Sequence, residues 1–353
     1  MSKRISRRDI LAAGAATGLT AGNAGAAARS SSSNASSSNF LTPWSPPENH
    51  KRNLTPGPTP FRLAAWSSRT TLDYPKGISI TEIVKRIRDA GYTAGVSAPG
   101  RLNRSPWLDA PESEIRELKD ALKTYDVAFV DMHANANNIH PDLAERQKEN
   151  RWTIDECEAA ERVGCPHVTT HTGSCASSAI AMHPGNWTWE TWKLSVKVMK
   201  QLLKDTAGMK VALVIEPDNM ATINCPRAHK QLIEDVGDPR LKVCLEPVNM
   251  MNIAFYFRST ELFEEAFDLL GEHIAIAHAK DSYVLPDKMS MYLTEVPPGE
   301  GVLDYETYLV GLSRLRYPRT LLIEHMPDDK YAGAKRFIEE TAARVGVKIY
   351  GKN

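Results

Sequence analysis

The stretch Lys210-Val211-Ala212-Leu213-Val214-Ile215-Glu216-Pro217 decides the fold, because a continuous apolar run ends abruptly in a carboxylate. A run of this kind is typical of a parallel strand that is covered on both faces. A carboxylate at its end would be costly to bury without a partner, so Glu216 must meet a cation or face a wet cleft. The stretch therefore predicts a buried strand that carries a functional group at its carboxyl end.

The same arrangement recurs along the chain, where strand-like runs alternate with segments of helical period from Phe61 onward. This alternation is typical of βαβ units around a parallel sheet. The predicted strands cover residues 62–67, 93–98, 127–133, 167–172, 210–216, 242–246, 274–279 and 320–325. Eight such units in about 290 residues fit a (β/α)₈ TIM barrel as a single domain. A doubly wound sheet is the alternative, but no GxGxxG follows any of these strands.

The first 29 residues have the composition of an export signal. The segment Ser6-Arg7-Arg8-Asp9-Ile10-Leu11 resembles the twin-arginine motif, an Ala/Gly-rich apolar run follows, and Ala24-Gly25-Ala26 offers a cleavage site. The apolar run is too short to form a stable membrane span. We therefore expect export by the twin-arginine route to the periplasm or the extracellular space.

Residues 30–60 are rich in Ser and Asn and then in Pro, which predicts a linker, and residues 61–353 are predicted to form the barrel.

Lys and Arg together number 43, as do Asp and Glu, so no global field favours nucleic acid or an anionic membrane. The five cysteines are widely spaced and include no CxxC pair, which indicates neither a disulfide framework nor a zinc knuckle.

In a TIM barrel, functional groups lie at the carboxyl ends of the strands. Glu246 and Glu324 end the sixth and eighth predicted strands as Glu216 ends the fifth, and His278 lies at the end of the seventh. Three carboxylates that converge on one mouth repel each other unless a metal ion neutralises them. Together with one imidazole they suit a single Mn²⁺, Mg²⁺ or Co²⁺ ion, and Zn²⁺ fits less well.

The order of Glu216, Glu246, His278 and Glu324 on strands five to eight resembles the xylose isomerase-like TIM-barrel superfamily, in particular its sugar phosphate isomerase/epimerase branch. The segment Pro298-Gly299-Glu300-Gly301-Val302-Leu303-Asp304 is similar to the PGxGxxD stretch of that family. The resemblance implies that all four residues bind the metal and that Glu216 and Glu324 also exchange protons with the substrate. Glu246 is a departure, since the sixth-strand ligand of the family is more often Asp.

Further polar and aromatic residues near the strand ends are candidates for binding the substrate. We expect His133 and His171 to bind sugar hydroxyls, Trp66 to stack on a sugar ring, and Lys280 either to stabilise an oxyanion or to point outward. Asn249 and Asp281 complete the candidate set. A loop that contains Trp187 and Trp189 is a candidate substrate cover.

The resemblance implies an exported, metal-dependent isomerase or epimerase that moves a proton next to the carbonyl of a keto-sugar or cyclitol through a metal-stabilised enediolate. A lyase or dehydratase that cleaves 3-keto-glycosides by the same enolisation is the runner-up, and a non-catalytic sugar-binding barrel is a third reading. Nucleic-acid repair is disfavoured because Asn249 stands where a further histidine ligand is expected and the domain has no basic excess. The expected partner is a small sugar, and a homo-oligomer is left open.

Overall fold

The computed structural model describes residues 52–66, 77–96 and 106–352, and eight parallel strands close a barrel within them. The barrel order is β1-β10-β7-β6-β5-β4-β3-β2, which confirms the predicted (β/α)₈ fold. The barrel strands are β1 (Arg62–Trp66), β2 (Ala94–Val96), β3 (Ala128–Asn137), β4 (His167–His171), β5 (Ala212–Ile215), β6 (Leu241–Leu245), β7 (Ile274–Ala279) and β10 (Thr320–Ile323). The predicted export signal lies outside the described residues, as does the linker up to residue 51.

An antiparallel hairpin that the sequence did not predict follows the seventh barrel strand. It consists of β8 (Asp281–Val284) and β9 (Leu293–Val296), which pair with each other and stand outside the barrel. Because it begins at the carboxyl end of β7, it forms part of the rim around the mouth of the barrel.

Helices alternate with the barrel strands and cover their outer faces. They are α1 (Ile80–Asp89), α2 (Glu112–Tyr125), α3 (Leu143–Val163), α4 (Trp189–Asp205), α5 (Pro226–Val236), α6 (Ser259–Leu270), α7 (Tyr305–Arg314) and α8 (Tyr331–Arg344). The first helix begins with a side-chain cap, because the Ser79 hydroxyl accepts a hydrogen bond from the Glu82 N–H at 3.1 Å. None of the helices in the described part of the chain is both long enough and apolar enough to cross a membrane.

The interior of the barrel is filled by side chains and is not an open channel. Alanines from β1 and β2 pack there against larger groups from β5, β6, β7 and β10, and the cluster consists of Ala64, Ala94, Val214, Cys244, Ile276 and Leu322. Small and large residues on different strands fill the space in this way in TIM barrels. Any ligand must therefore bind above this plug, at one end of the barrel.

The end of the predicted linker, residues 52–60, lies against α7. The Arg314 guanidinium donates to the carbonyl oxygens of Asn53 and Thr55, and the Gly57 N–H donates to the Ser313 hydroxyl at 2.9 Å. A β-carbon at Gly57 would lie 2.2 Å from the Ser313 carbonyl oxygen, so this close approach requires glycine.

Replacing Leu322 by alanine should lower the free energy of unfolding by about 3 kcal/mol, because the fully buried side chain fills the barrel interior. Urea denaturation followed by circular dichroism measures this change. Leu143→Ala is the matched control, since the Leu143 side chain is 59% exposed and should change stability by no more than about 0.5 kcal/mol. Equal losses in the two variants would contradict the packed interior.

Candidate metal centre

The four predicted ligands come together at the carboxyl end of the barrel. Glu216, Glu246 and Glu324 each follow directly after a strand, one residue beyond its end, and His278 lies within β7. Leu245 pairs with Ala277 between β6 and β7, so that Glu246 follows beside His278. One side-chain donor atom from each of the four residues lies within 4.8 Å of the others. All four residues are at most 8% exposed.

The imidazole of His278 lies at the centre of this cluster. Its Nδ1 atom is 2.9 Å from Glu324 Oε1, 3.1 Å from Glu246 Oε2 and 3.8 Å from Glu216 Oε1. Burial opposes a charge on the ring, but Cys244 and the carboxylates of Glu324 and Glu246 raise its pKa well above the ordinary value. In the absence of a metal ion, these surroundings therefore favour the imidazolium form of His278.

Lys280 also points into the cluster and not toward the helices. It is 1% exposed, and its Nζ atom lies 3.1 Å from both Glu246 Oε2 and Glu324 Oε1. Burial alone would lower its pKa, yet the surrounding carboxylates raise it well above the ordinary value, so the ammonium stays charged. Lys280 thus shares two of the carboxylates that a metal ion would need.

The charges and donor types at this site fit one divalent cation. Three carboxylates converge there, and Lys280 supplies a single positive charge against them. A divalent ion would neutralise the remaining two negative charges once His278 is neutral. Oxygen donors with a single imidazole suit hard and borderline ions such as Mg²⁺, Mn²⁺ and Co²⁺, and the cluster could hold such an ion.

Three of the predicted substrate-binding residues lie on the neighbouring strands and loops. His133 pairs through Nε2 with Asp131 Oδ2 at 2.7 Å; burial opposes its charge, but Asp131 raises its pKa. His171 lines the same cavity, and its buried Nδ1 atom has no hydrogen-bond partner among the described residues. Asn249 donates from Nδ2 to Glu216 Oε1 and to the Pro217 carbonyl oxygen, both at 3.1 Å, and so orients the Glu216 carboxylate.

Asp281, another predicted substrate-binding residue, holds the loop that follows the hairpin. Its carboxylate accepts hydrogen bonds from the N–H groups of Ser282, Gly299 and Leu303 at 2.8–3.0 Å. A β-carbon at Gly301 would lie 2.2 Å from Asp281 Oδ1, so glycine is required at that position. The Pro298–Asp304 segment and Asp281 therefore form one structural unit beside the metal centre.

Two residues of the site were missing from the predicted set, Glu295 on β9 and His325 after β10. Glu295 approaches Lys280 Nζ and His325 Nδ1, each at 3.6 Å, and His325 Nδ1 lies 3.3 Å from Lys280 Nζ. His325 has a φ of +57°, a strained conformation for a residue with a side chain. Its position directly after Glu324 was a usable signal, whereas Glu295 depends on the unpredicted hairpin.

A cavity of about 580 Å³ opens above the cluster and is lined by Glu216 and Glu324 together with His133, His171, Asn249 and Lys280. Trp187 and Trp189, the predicted cover, are exposed and do not line it. The side chain of Trp66 lies outside what the structure describes. The arrangement combines a site for a cation, two buried carboxylates near one imidazole, and room for a small polar ligand.

The fold and the site together define a TIM-barrel protein with a carboxylate-and-imidazole centre at the carboxyl end of its strands. The model of the xylose isomerase-like TIM barrel family matches residues 84–344, and the chain belongs to that family. A search of curated proteins found no match.

Solved structures with the same fold include sugar epimerases and a metal-bound protein. The IOLI protein with a bound zinc atom has 16% identity and a TM-score of 0.61, covering 83% of this chain and 100% of its own. A D-tagatose 3-epimerase-like protein has 16% identity and a TM-score of 0.59, with coverages of 81% and 98%. The 3-keto-D-glucoside 4-epimerase YcjR from E. coli has 16% identity and a TM-score of 0.56, with coverages of 79% and 99%.

Binding of Mn²⁺ to the metal-free protein should release about one proton, because the raised pKa keeps His278 protonated at neutral pH until the metal takes its place. Isothermal titration calorimetry in buffers with different ionisation enthalpies counts the protons released. The affinity for Mn²⁺ should also rise with pH, since the proton competes less well. Binding that releases no proton and does not depend on pH would contradict the replacement of a His278 proton by the ion.

Lys280→Met should tighten Mn²⁺ binding by about tenfold or more, because the ammonium competes with the ion for Glu246 and Glu324. The same variant should lower the melting temperature of the metal-free protein, since it leaves buried carboxylates without a cation. Lys288→Met is the control, because Lys288 is exposed and pairs only with Asp287 among the described contacts. Unchanged metal affinity in the Lys280 variant would refute the competition.

Proposed function

We propose that this protein is an exported, divalent-metal-dependent sugar isomerase or epimerase that moves a proton next to the carbonyl of a keto-sugar or cyclitol. The observation that carries the proposal is the pair Glu216 and Glu324, two buried carboxylates that lie 3.8 and 2.9 Å from His278 Nδ1 and line one cavity. The similar structures of sugar epimerases support the substrate class. The twin-arginine segment supports export.

Glu216 and Glu324 are suited to remove and return the proton from different sides of a bound sugar. They follow β5 and β10, and two other strands, β6 and β7, stand between these in the barrel. Their pKa values stay low despite burial, because His278 and further cations favour the charged carboxylates. Both groups are therefore bases in the resting site, as proton removal requires.

Glu216, Glu246, His278 and Glu324 would hold the metal, which supplies an electrophile for adjacent hydroxyl and carbonyl oxygens of the substrate. Lys280 places an ammonium beside the same carboxylates, where it can stabilise negative charge that develops on a substrate oxygen. Asn249 fixes the orientation of Glu216, and the pair of His133 with Asp131 provides a donor to a sugar hydroxyl.

A lyase that acts on 3-keto-glycosides is the second candidate, because it would use the same proton removal and then expel the glycosidic group. The observation that favours it is the similarity to an enzyme that acts on 3-keto-D-glucosides. The two reactions differ in whether the proton returns to carbon or a carbon–oxygen bond breaks.

Incubation with keto-sugars and keto-glycosides in deuterated buffer with Mn²⁺ should place solvent deuterium in an isomeric product, as observed by mass spectrometry and NMR. Glu324→Gln should reduce this exchange by on the order of 10²–10⁴-fold, since the amide cannot act as a base. Glu300→Gln is the control, because Glu300 lies on the surface in an ion pair with Lys330.

Release of the aglycone without an isomeric product would instead establish the lyase. Full exchange in a folded Glu324→Gln variant would refute the role of that residue. The absence of exchange and cleavage with every substrate, in protein that has bound its metal, would leave a binding protein and overturn the proposed catalysis.

A further inference from the structure

The cavity above the metal centre has a second side of different character. Its lining includes Ile180 from the loop after β4, Met220 from the loop after β5 and Met251 from the loop after β6. Because β4, β5 and β6 are consecutive neighbours in the barrel, these side chains lie along one side of the mouth. We call Ile180, Met220 and Met251 the apolar wall.

Hydrogen bonds between the three loops hold the apolar wall in place. Asn186, which is fully buried, donates from Nδ2 to the Ala181 carbonyl oxygen at 3.1 Å and to the Met220 carbonyl oxygen at 2.8 Å. Asn219 donates from Nδ2 to the Met251 carbonyl oxygen at 3.4 Å. The wall is therefore a preformed part of the cavity, which lowers the entropic cost of binding a ligand against it.

Two of the polar groups beside the wall already form hydrogen bonds with the protein backbone. The Asp218 carboxylate accepts a hydrogen bond from the Met220 N–H at 2.7 Å, and the Asn219 amide is engaged by Met251. The alkyl and thioether groups of the wall cannot form strong hydrogen bonds with a sugar hydroxyl. Ser178 and Asn249 also line the cavity from these loops, and the wall is the apolar part of that side.

The loops after β4 and β6 that carry the wall also expose other large apolar side chains. Met182, in the loop after β4, is 66% exposed, and Ile253 and Phe257, in the loop after β6, are 77% and 87% exposed. Large apolar groups concentrated at the mouth of a binding site favour an apolar part of the ligand. Methionine adapts to flat rings and makes favourable sulfur–aromatic contacts.

We propose that the substrate is a sugar that carries an aromatic group, an aryl glycoside in its oxidised keto form, with the sugar over the metal centre and the aromatic group against the apolar wall. This inference rests on the proposed function and makes its substrate class more specific. This assignment explains why the cavity is charged next to the metal cluster and carries the apolar wall on one side.

Calorimetric binding of phenyl and methyl glucosides, in both anomeric forms, to the full protein with Mn²⁺ tests the inference. These unoxidised sugars lack the carbonyl, so binding is measured without turnover. The phenyl glucoside should bind at least about tenfold more tightly than the methyl glucoside of the same anomer. In the Ile180→Ser/Met220→Ser variant this preference should fall to within about threefold, because the phenyl glucoside should lose more affinity than the methyl glucoside.

Met182→Ser is the matched control, because Met182 lies in the same loop outside the cavity lining, and it should keep the preference. Ile180→Ser alone provides a milder change at a side chain that is 47% exposed, and it should lower the preference in part. Equal affinities for both sugars in the unaltered protein, or a full preference in the double variant, would overturn the inference while leaving sugar binding intact. Failure of every glucoside to bind would overturn both the inference and the sugar assignment.

Discussion

The structure depends on the burial of three carboxylates around one imidazole. Glu216, Glu246 and Glu324 surround His278 in a part of the barrel that water hardly reaches, and like charges at this spacing are strongly unfavourable unless cations compensate them. Lys280 and the protonated His278 provide that compensation in the metal-free protein. A divalent ion would take over the role of the imidazolium, so that metal binding, protonation and stability are linked at one place.

In the segment His278-Ala279-Lys280-Asp281, neighbouring residues have different structural roles. His278 and Lys280 are two residues apart and both face the centre, as the period of an extended strand requires. Asp281 instead accepts hydrogen bonds from the N–H groups of Gly299 and Leu303 in the loop before α7. That loop leads to Asp304, whose carboxylate caps the start of α7. The metal centre and the scaffold beside it are therefore built from consecutive residues, and a change in one will disturb the other.

The barrel and the cluster of four candidate ligands could be predicted because their signals are local. An apolar run that ends in a glutamate identifies both a buried strand and its functional end, and this pattern identified Glu216, Glu246 and Glu324. The inward direction of Lys280 was undecided, because the sequence does not say whether the strand keeps its alternation past Ala279. Glu295 was not predicted, because it reaches the site through a hairpin that stands outside the barrel. The apolar wall was not predicted either, because its residues come from three separate loops that are held together by hydrogen bonds.

The proposed metal centre would govern both the chemistry and the arrangement of the cavity. Metal analysis by inductively coupled plasma mass spectrometry, on protein equilibrated with Mn²⁺ and then freed of unbound ion, tests this claim most directly. We expect about one ion per chain in the unaltered protein, and a strong loss of bound ion in Glu246→Gln with the fold retained. A protein that binds no ion, or a Glu246→Gln variant that retains a full ion, would contradict the assignment of this cluster as the metal centre.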